Sequence, residues 1–553
     1  MSVEKLIVDH METWTSALQT RSTAGRGSSG KIDLYGIKKL RELILELAVR
    51  GKLVPQDPND EPASDLLKRI AAEKAELVKQ GKIKKQKPLP EISEEEKPFE
   101  LPEGWEWVHL PDIYCSISES SRKIKSSEIL PEGKYPVIEQ SQEFISGYCN
   151  NECLLIKLNN PVIVFGDHTR NIKFIDFDFV VGADGVKILS PILICERFFF
   201  WQLRSFKLDV RGYARHFKVL NSCLFALPPI AEQERIVEKV SSLMSLCDQL
   251  EQQSLTSLDA HQQLVETLLG TLTDSPNTAE LAENWARISE HFDTLFTTEA
   301  SVDALKQTIL QLAVMGKLVP QDPNDEPASE LLKRIAQEKA QLVKEGKIKK
   351  QKPLPPISDE EKPFELPEGW EWCRIGNIVN IKSELVSPKD YLNLYQVAPD
   401  IIEKGTGRVI SKRTVKESGV KGPNSRFYKG QIVYSKIRPS LSKVFLAEYN
   451  GLCSADMYPL DCYINPNYLL KYILSIPFLM QVKKAENRIK MPKLNSDSFY
   501  NIIVAIPPYN EQQAIFDKIN SIEAVCNGLI SYIGIYHKTQ LHLADALTDA
   551  AIN

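Results

Sequence analysis

The stretch GKLVPQDPNDEPASDLLKRIAAEKAELVKQGKIKKQKPLPEISEEEKPFELPEGWEW, residues 51–107, returns at residues 316–372 as GKLVPQDPNDEPASELLKRIAQEKAQLVKEGKIKKQKPLPPISDEEKPFELPEGWEW. Of its 57 positions 51 are identical, at an offset of 265 residues. The helical run before each copy corresponds too: Leu40, Ile44, Leu45, Leu47, Ala48 and Val49 match Leu305, Ile309, Leu310, Leu312, Ala313 and Val314. A looser repeat, LPPIAEQERI from Leu227 and IPPYNEQQAI from Ile506, has an offset of 279, so the second intervening stretch is 14 residues longer. Between these repeats, over 108–226 and 373–505, almost no aligned identity remains. A solenoid needs several short stacked units, whereas two long halves predict an internal two-fold that presents one surface twice. Two near-identical surfaces suit two copies of one partner, and two dissimilar inserts suit two dissimilar targets.

The organisation expected is a helical frame and linker over 1–107, with its repeated part over 39–107, and a first globular insert over 108–227. A central helical region and second repeat follow over 228–372, with the repeat at 304–372, then a second insert over 373–506 and a C-terminal helix over 507–553. Behind each Pro-Pro pair the apolar residues fall at spacings near 3.5. They are Ile236, Val240, Leu243, Met244, Cys247, Leu250, Leu258, Leu264 and Leu268 in the first half, and Ile515, Ile519, Ile522, Val525, Leu529, Ile533 and Tyr536 in the second. That spacing predicts long amphipathic helices with coiled-coil-like pairing, about 60 Å for about 40 residues. Residues 65–80 alternate Glu and Lys with Leu and Ala, the pattern of an exposed helix. The stretch GKIKKQKPLPEISEEEKP reads as an extended linker, and RSTAGRGSSG (21–30) as a flexible loop. Within the inserts VIVFG (162–166), IKFIDFDFVVG (172–182), RFFFWQL (197–203) and IVYSKI (432–437) read as short strands of compact α+β domains.

At 553 residues, 43% apolar and 25% charged, the chain is neither a single small module nor a disordered one. Its ten cysteines include no CxxC, so they read as reduced thiols of a cytoplasmic protein and not as a disulfide or zinc framework. The N-terminus lacks the apolar stretch of a signal peptide, and no run of 18 uncharged apolar residues occurs. No GxxxxGK[ST], no GxGxxG after a strand and no HExxH is present. Ile506-Pro507-Pro508-Tyr509 superficially matches the [ND]PP[YF] element of amino-methyltransferases, but Ile506 stands where an Asn or Asp is required. The Pro-Pro pairs are better read as helix starts, and no catalytic, cofactor-binding or metal residue is assigned.

A formal charge of −5 argues against a polyanion partner until it is partitioned. The second insert carries 20 basic against 10 acidic residues, or +10, and the first 14 against 13, or +1, which leaves −16 for the frame. Basic residues interleave with polar and aromatic ones at matching places in both inserts. After a strand stand His168, Thr169, Arg170, Asn171 and Lys173 in the first insert and Ser435, Lys436, Arg438, Ser440 and Lys443 in the second. Before the closing helix stand Arg211, Arg215 and Lys218 in the first and Arg488, Lys490 and Lys493 in the second. Lys and Arg neutralise phosphates, and Arg with guanine or Asn with adenine forms bidentate base contacts. These sixteen residues are the DNA-binding candidates.

The LAV-x-GKLVPQDPNDEPAS-[DE]-LLKRIA frame, the FELPEGWEW lead into each insert and the PP-x-x-EQ exit resemble, in order, the specificity subunit of type I restriction-modification enzymes. VIVFGDHTRNIKF and GQIVYSKIRPSLSKVFLAEYNGLCSAD carry the likeness into the inserts, so that it covers nearly the whole chain. The resemblance implies an α+β protein in which two globular α/β target-recognition domains are separated by long antiparallel coiled-coil-like helices, with an internal pseudo-two-fold. It further implies that the chain is non-catalytic and reads an asymmetric, bipartite site in double-stranded DNA. Two modification subunits that methylate adenine at N6 would dock on the frame, together with restriction subunits. S-adenosylmethionine, ATP and Mg2+ would belong to those partners. Two other readings remain: a helical scaffold that binds no DNA, and a methyltransferase fused to its own specificity module, which Ile506 and the missing cofactor loop disfavour.

Overall fold

A computed structural model describes residues 3–20, 32–117, 122–182, 185–208, 215–486 and 492–552. The loop expected at 21–30 and the candidates Arg211, Arg488 and Lys490 lie outside them. The chain forms two compact units, one of residues 1–257 with 536–553, the other of residues 258–535. Among the described residues no helix is long and apolar enough to cross a membrane.

In the first unit the frame helix Tyr35–Val49 buries Leu40, Leu43, Ile44, Leu47 and Ala48. It stops at Gly51, whose φ of 67° suits a left-handed helix end. The Lys52 amide donates to the Leu47 carbonyl at 2.9 Å. A Cβ at Gly51 would stand 2.4 Å from Pro102 Cγ, so the FELPEGWEW segment packs directly on the helix end. The next helix, Ala63–Lys79, buries only Ala63, Leu66 and Ile70, which leaves its Glu/Lys face in solvent. In the second unit Glu299–Val314, Gly316 (φ 72°) and Ala328–Lys344 repeat this arrangement, with Pro367 Cγ 2.4 Å from the Gly316 Cβ position.

Each insert is closed by its own ends. Glu106–His109 pairs antiparallel with Leu224–Leu227, Trp107 facing Ala226, and Glu371–Arg374 pairs with Ile503–Ile506, Trp372 facing Ala505. Between these ends the first insert holds a four-stranded antiparallel sheet in the order Tyr114–Ile117, Val186–Pro191, Val162–Gly166, Ile172–Ile175. The second insert holds its counterpart in the order Val379–Ile381, Met457–Cys462, Ile432–Ser435, Val444–Leu446. A second four-stranded sheet in each insert contains one parallel pairing, Tyr135–Ile138 with Phe179–Val181 in the first and Tyr395–Val397 with Gly451–Ser454 in the second. Two dissimilar sequences thus reach one topology in the hairpin sheet and in three strands of the second sheet, whose fourth strand differs: Gly147–Cys149 pairs with Tyr135–Ile138 in the first insert, and Leu385–Val386 pairs with Asn424–Phe427 in the second. The segment RFFFWQL is a correction: it lies in a helix, Glu196–Ser205, and not in a strand. Phe198, Phe199, Gln202 and Leu203 are its buried residues, one face at helical spacing, which the aromatic content of the run concealed.

The exit motif locks insert to frame by the same hydrogen bonds in both units. Glu232 accepts from Trp105 Nε1 at 2.9 Å and Gln56 Nε2 at 3.1 Å, and Glu511 accepts from Trp370 Nε1 at 2.9 Å and Gln321 Nε2 at 3.2 Å. Burial raises the pKa of both carboxyls, and these donors oppose the rise. The neighbouring glutamines reach into the inserts. Gln233 accepts from the Cys195 amide at 2.9 Å and donates to the Pro228 carbonyl at 3.0 Å, while Gln512 accepts from the Asn465 amide at 2.9 Å and donates to the Pro507 carbonyl at 3.1 Å. The PP-x-x-EQ exit is therefore a helix start whose first turn clamps three segments together.

Long helices follow, Ile230–Asp274 of 45 residues and Tyr509–Ile552 of 44. Their buried stripes differ from the expected ones at three places, one of them Tyr536, which is 38% exposed. Leu264 is 51% exposed and Val525 65% exposed, with Val265 and Cys526 buried instead. A straight helix at 3.6 residues per turn drifts from a 3.5-residue pattern, so the buried face passes to the next residue. In the second unit Val265, Leu269 and Leu272 share one core with Cys526, Ile533 and Leu305.

Candidate nucleic-acid interface

In the first domain the hairpin Val162–Gly166 and Ile172–Ile175 encloses the 167–171 loop. Asp167, 3% exposed, anchors it. Its backbone amide donates to the Gly185 carbonyl at 2.7 Å, its carbonyl accepts from the His216 amide at 2.8 Å, and its Oδ1 accepts from the Phe217 amide at 2.8 Å. Two candidate clusters far apart in sequence, 168–171 and 215–218, are thereby brought together. Arg170 turns the chain with φ 62° and donates from Nη1 to the Leu208 carbonyl at 2.8 Å. Thr169 Oγ1 and Asn171 Nδ2 both donate to the Gln140 carbonyl, and the His168 amide donates to Gln140 Oε1. Thr169, Arg215 and Lys218 are exposed.

In the second domain the equivalent hairpin, Ile432–Ser435 with Val444–Leu446, carries the 436–443 loop. It is clipped to the segment before the closing helix in the same manner. Arg438, φ 46°, donates its amide to the Pro492 carbonyl at 2.9 Å, and the Leu494 amide donates to the Lys436 carbonyl at 2.9 Å. Lys493 therefore stands beside the loop, its Nζ 3.2 Å from Asp456 Oδ1. Lys436 donates to the Ala455 carbonyl at 2.8 Å and lies over the Tyr458 ring at 5.3 Å. The Ser440 amide donates to Glu486 Oε1 at 3.0 Å. Arg438 is exposed, and among the described residues its guanidinium has no ion-pair partner.

Three candidates are corrected. Lys173 is 5% exposed and donates its ammonium to the Glu139 carbonyl at 2.7 Å and the Glu143 carbonyl at 2.5 Å. Burial lowers its pKa, and it fastens a loop from inside. Ser435 is 1% exposed and donates to the Ile437 carbonyl at 3.0 Å. Lys443, half-buried, spends its ammonium on the Pro399 carbonyl. A group so engaged contacts DNA only after breaking an internal hydrogen bond, which holds for Lys436 on the Ala455 carbonyl as well.

Residues with no sequence signal complete the second site. A cleft of about 390 Å³ is lined by Gln396, Arg413, Asn424, Ser454 and Ala455, among others. Ala455 is the residue whose carbonyl holds Lys436, so cleft and loop are contiguous. In the first domain a cleft of about 510 Å³ is lined by Gln142, Thr169, Arg170, Asn171 and Arg204, among others. Among the described residues no group of His, Cys, Asp and Glu is suited to hold a metal ion.

Two divergent domains that share the hairpin sheet, each with a loop fastened beside cations of its closing segment and each following one copy of a duplicated helical frame, define a protein with two recognition domains. The type I restriction modification DNA specificity domain matches residues 102–260 and 367–533. The chain is 51% identical to the specificity subunit of the type I restriction enzyme EcoAI from Escherichia coli and 48% identical to that of EcoEI from the same organism, with all of each chain covered. It is 28% identical to the Escherichia coli EcoDI specificity subunit over 77% of this chain and 82% of that one. The chain belongs to the family of type I restriction enzyme specificity subunits, whose work is DNA target recognition.

Proposed function

We propose that the two inserts read the two halves of a split, asymmetric DNA site, and that the duplicated frame docks two adenine-N6 methyltransferase subunits, with restriction subunits joining the larger complex. The chain itself carries no catalysis in this reading. S-adenosylmethionine, ATP and Mg2+ belong to its partners, which must extrude the target adenine from the duplex, while this chain holds the DNA in register.

One observation carries the reading. In both domains the loop after the third-placed sheet strand is clipped by hydrogen bonds to the segment before the closing helix, through the Asp167 carbonyl and carboxylate with the His216 and Phe217 amides, and through the Lys436 carbonyl with the Leu494 amide. The scaffold is shared and the residues displayed on it differ, as two half-sites of different sequence require. Phosphate contacts then supply affinity and base contacts supply choice.

The test is a genome-wide map of methylated adenines in the host with and without this gene, paired with purified protein. Loss of one split motif from the map, methylation only after addition of the cognate modification subunit, and none from the chain alone support the proposal. Binding that ignores scrambling of both half-sites, or shows no salt dependence, overturns it in favour of a protein scaffold.

A further inference from the structure

The cleft in the second domain contains an arginine whose geometry has a chemical preference. Arg413 donates from Nε to Gln396 Oε1 at 3.2 Å and from Nη2 to Asp400 Oδ1 at 3.1 Å. Those two nitrogens form the side-on edge of the guanidinium, and the protein occupies it. A guanidinium has five N–H donors. The end-on edge, made of Nη1 and the second Nη2 hydrogen, therefore remains, and among the described residues nothing accepts from it. The side chain is 31% exposed, so the remaining fork is open to solvent.

The support behind the fork is itself fixed. Gln396 and Asn424 are each 3% exposed. Gln396 Nε2 donates to Asn424 Oδ1 at 3.3 Å, and Asn424 Nδ2 donates to the Gly422 carbonyl at 3.1 Å. This chain of donors orients the Gln396 amide so that its oxygen faces Arg413. The Gln396 backbone amide also donates to the Arg413 carbonyl at 2.9 Å, which ties the two residues together at the main chain. By contrast, Lys436 and Lys493 beside the cleft are turned to Ala455 and Asp456. A planar fork held from behind matches two acceptors in one plane, and guanine presents O6 and N7 in that way in the major groove.

We infer that Arg413 is a specificity-determining residue that reads a guanine in the half-site of the second domain, with Gln396, Asn424 and Asp400 as its positioning residues. The inference rests on the DNA-recognition reading above and deepens it. A phosphate also offers two acceptors to such a fork, so the experiment must separate base from backbone.

The complex of this chain with its cognate modification subunit is incubated with a duplex pool randomised over the contacted length, and bound molecules are sequenced. Wild type, Arg413→Ala and Arg413→Lys are compared, the last keeping the charge but losing the fork. Expected is loss of guanine preference at one position of one half-site in both variants, by about 5- to 150-fold in discrimination, with every other position still selected. The retained positions show that the variants are folded. Gln396→Ala is expected to soften the same position and no other. An unchanged motif overturns the assignment, as does uniform weakening with a salt slope lower by about 1 and no change in motif, which marks a phosphate contact. If wild type itself selects no motif, the DNA reading fails together with this assignment, an outcome distinguished by the wild-type control.

Discussion

Glu511 sits where two donors converge, the Trp370 indole and the Gln321 amide, and only an acceptor on both oxygens satisfies them. Glu511→Gln turns one arm into a donor facing a donor, and a buried unsatisfied group costs about 1–3 kcal/mol. Chemical denaturation should show that loss in the transition of the second unit, with the twin Glu232→Gln acting on the first. Lys339 titrates differently. Its ammonium donates to the Gly376 carbonyl at 2.7 Å and the Val379 carbonyl at 3.0 Å, yet burial brings its pKa down from 10.5 to about 8. Between those values the unfolded chain holds the proton more tightly than the folded one, so this group makes stability rise with pH across that window and weighs against folding below it. Comparison of Lys339→Met with wild type from pH 7 to 10.5 should show the slope removed in the variant. An identical slope in both proteins counts against it.

At the scale of elements, the clip between hairpin loop and closing segment is what turns scattered basic residues into one surface. Asp167→Ala removes the acceptor for the Phe217 amide at 2.8 Å while leaving the hairpin paired. Expected is a stability loss of about 1–3 kcal/mol and, in sequence selection from a duplex pool, blurred choice in the first half-site with the second unchanged. Blurring in both halves would sink the assignment of one domain to one half-site. The frame was legible in the sequence because 51 of 57 repeated positions are identical, and the hairpins because their β-branched runs end in loop residues. Burial of Lys173 is written in the alternation of Ile172–Ile175, which places Lys173 on the buried face with Ile175. The Arg413–Gln396–Asn424 chain had none. Its members are 17 and 28 residues apart, and only strand pairing with Gly451–Ser454 brings Tyr395–Val397 and Asn424–Phe427 into one sheet. The helical stripes depart from expectation at Leu264, Val525 and Tyr536 for a further reason, the accumulated difference between 3.5 and 3.6 residues per turn over a long helix.

For the molecule as a whole, the charge is divided by domain, and the division bears on affinity more than on choice. A domain of +10 concentrates the field at its own surface, whereas a domain of +1 does not. Arg438 is exposed in the basic domain's loop, and Arg215 is exposed beside the loop of the near-neutral one. Each phosphate contact contributes about 0.9 to the slope of log K against log salt. Arg438→Ala should therefore weaken DNA binding at least twofold and lower that slope by about 0.9. Arg215→Ala should weaken it less at low salt, because fewer neighbouring cations reinforce the contact it loses. Equal losses from the two substitutions, or a loss under twofold from Arg438→Ala, would mean that the net charge of a domain does not govern its hold on the DNA. The two halves would then contribute phosphate contacts evenly, in spite of the nine-charge difference between the inserts.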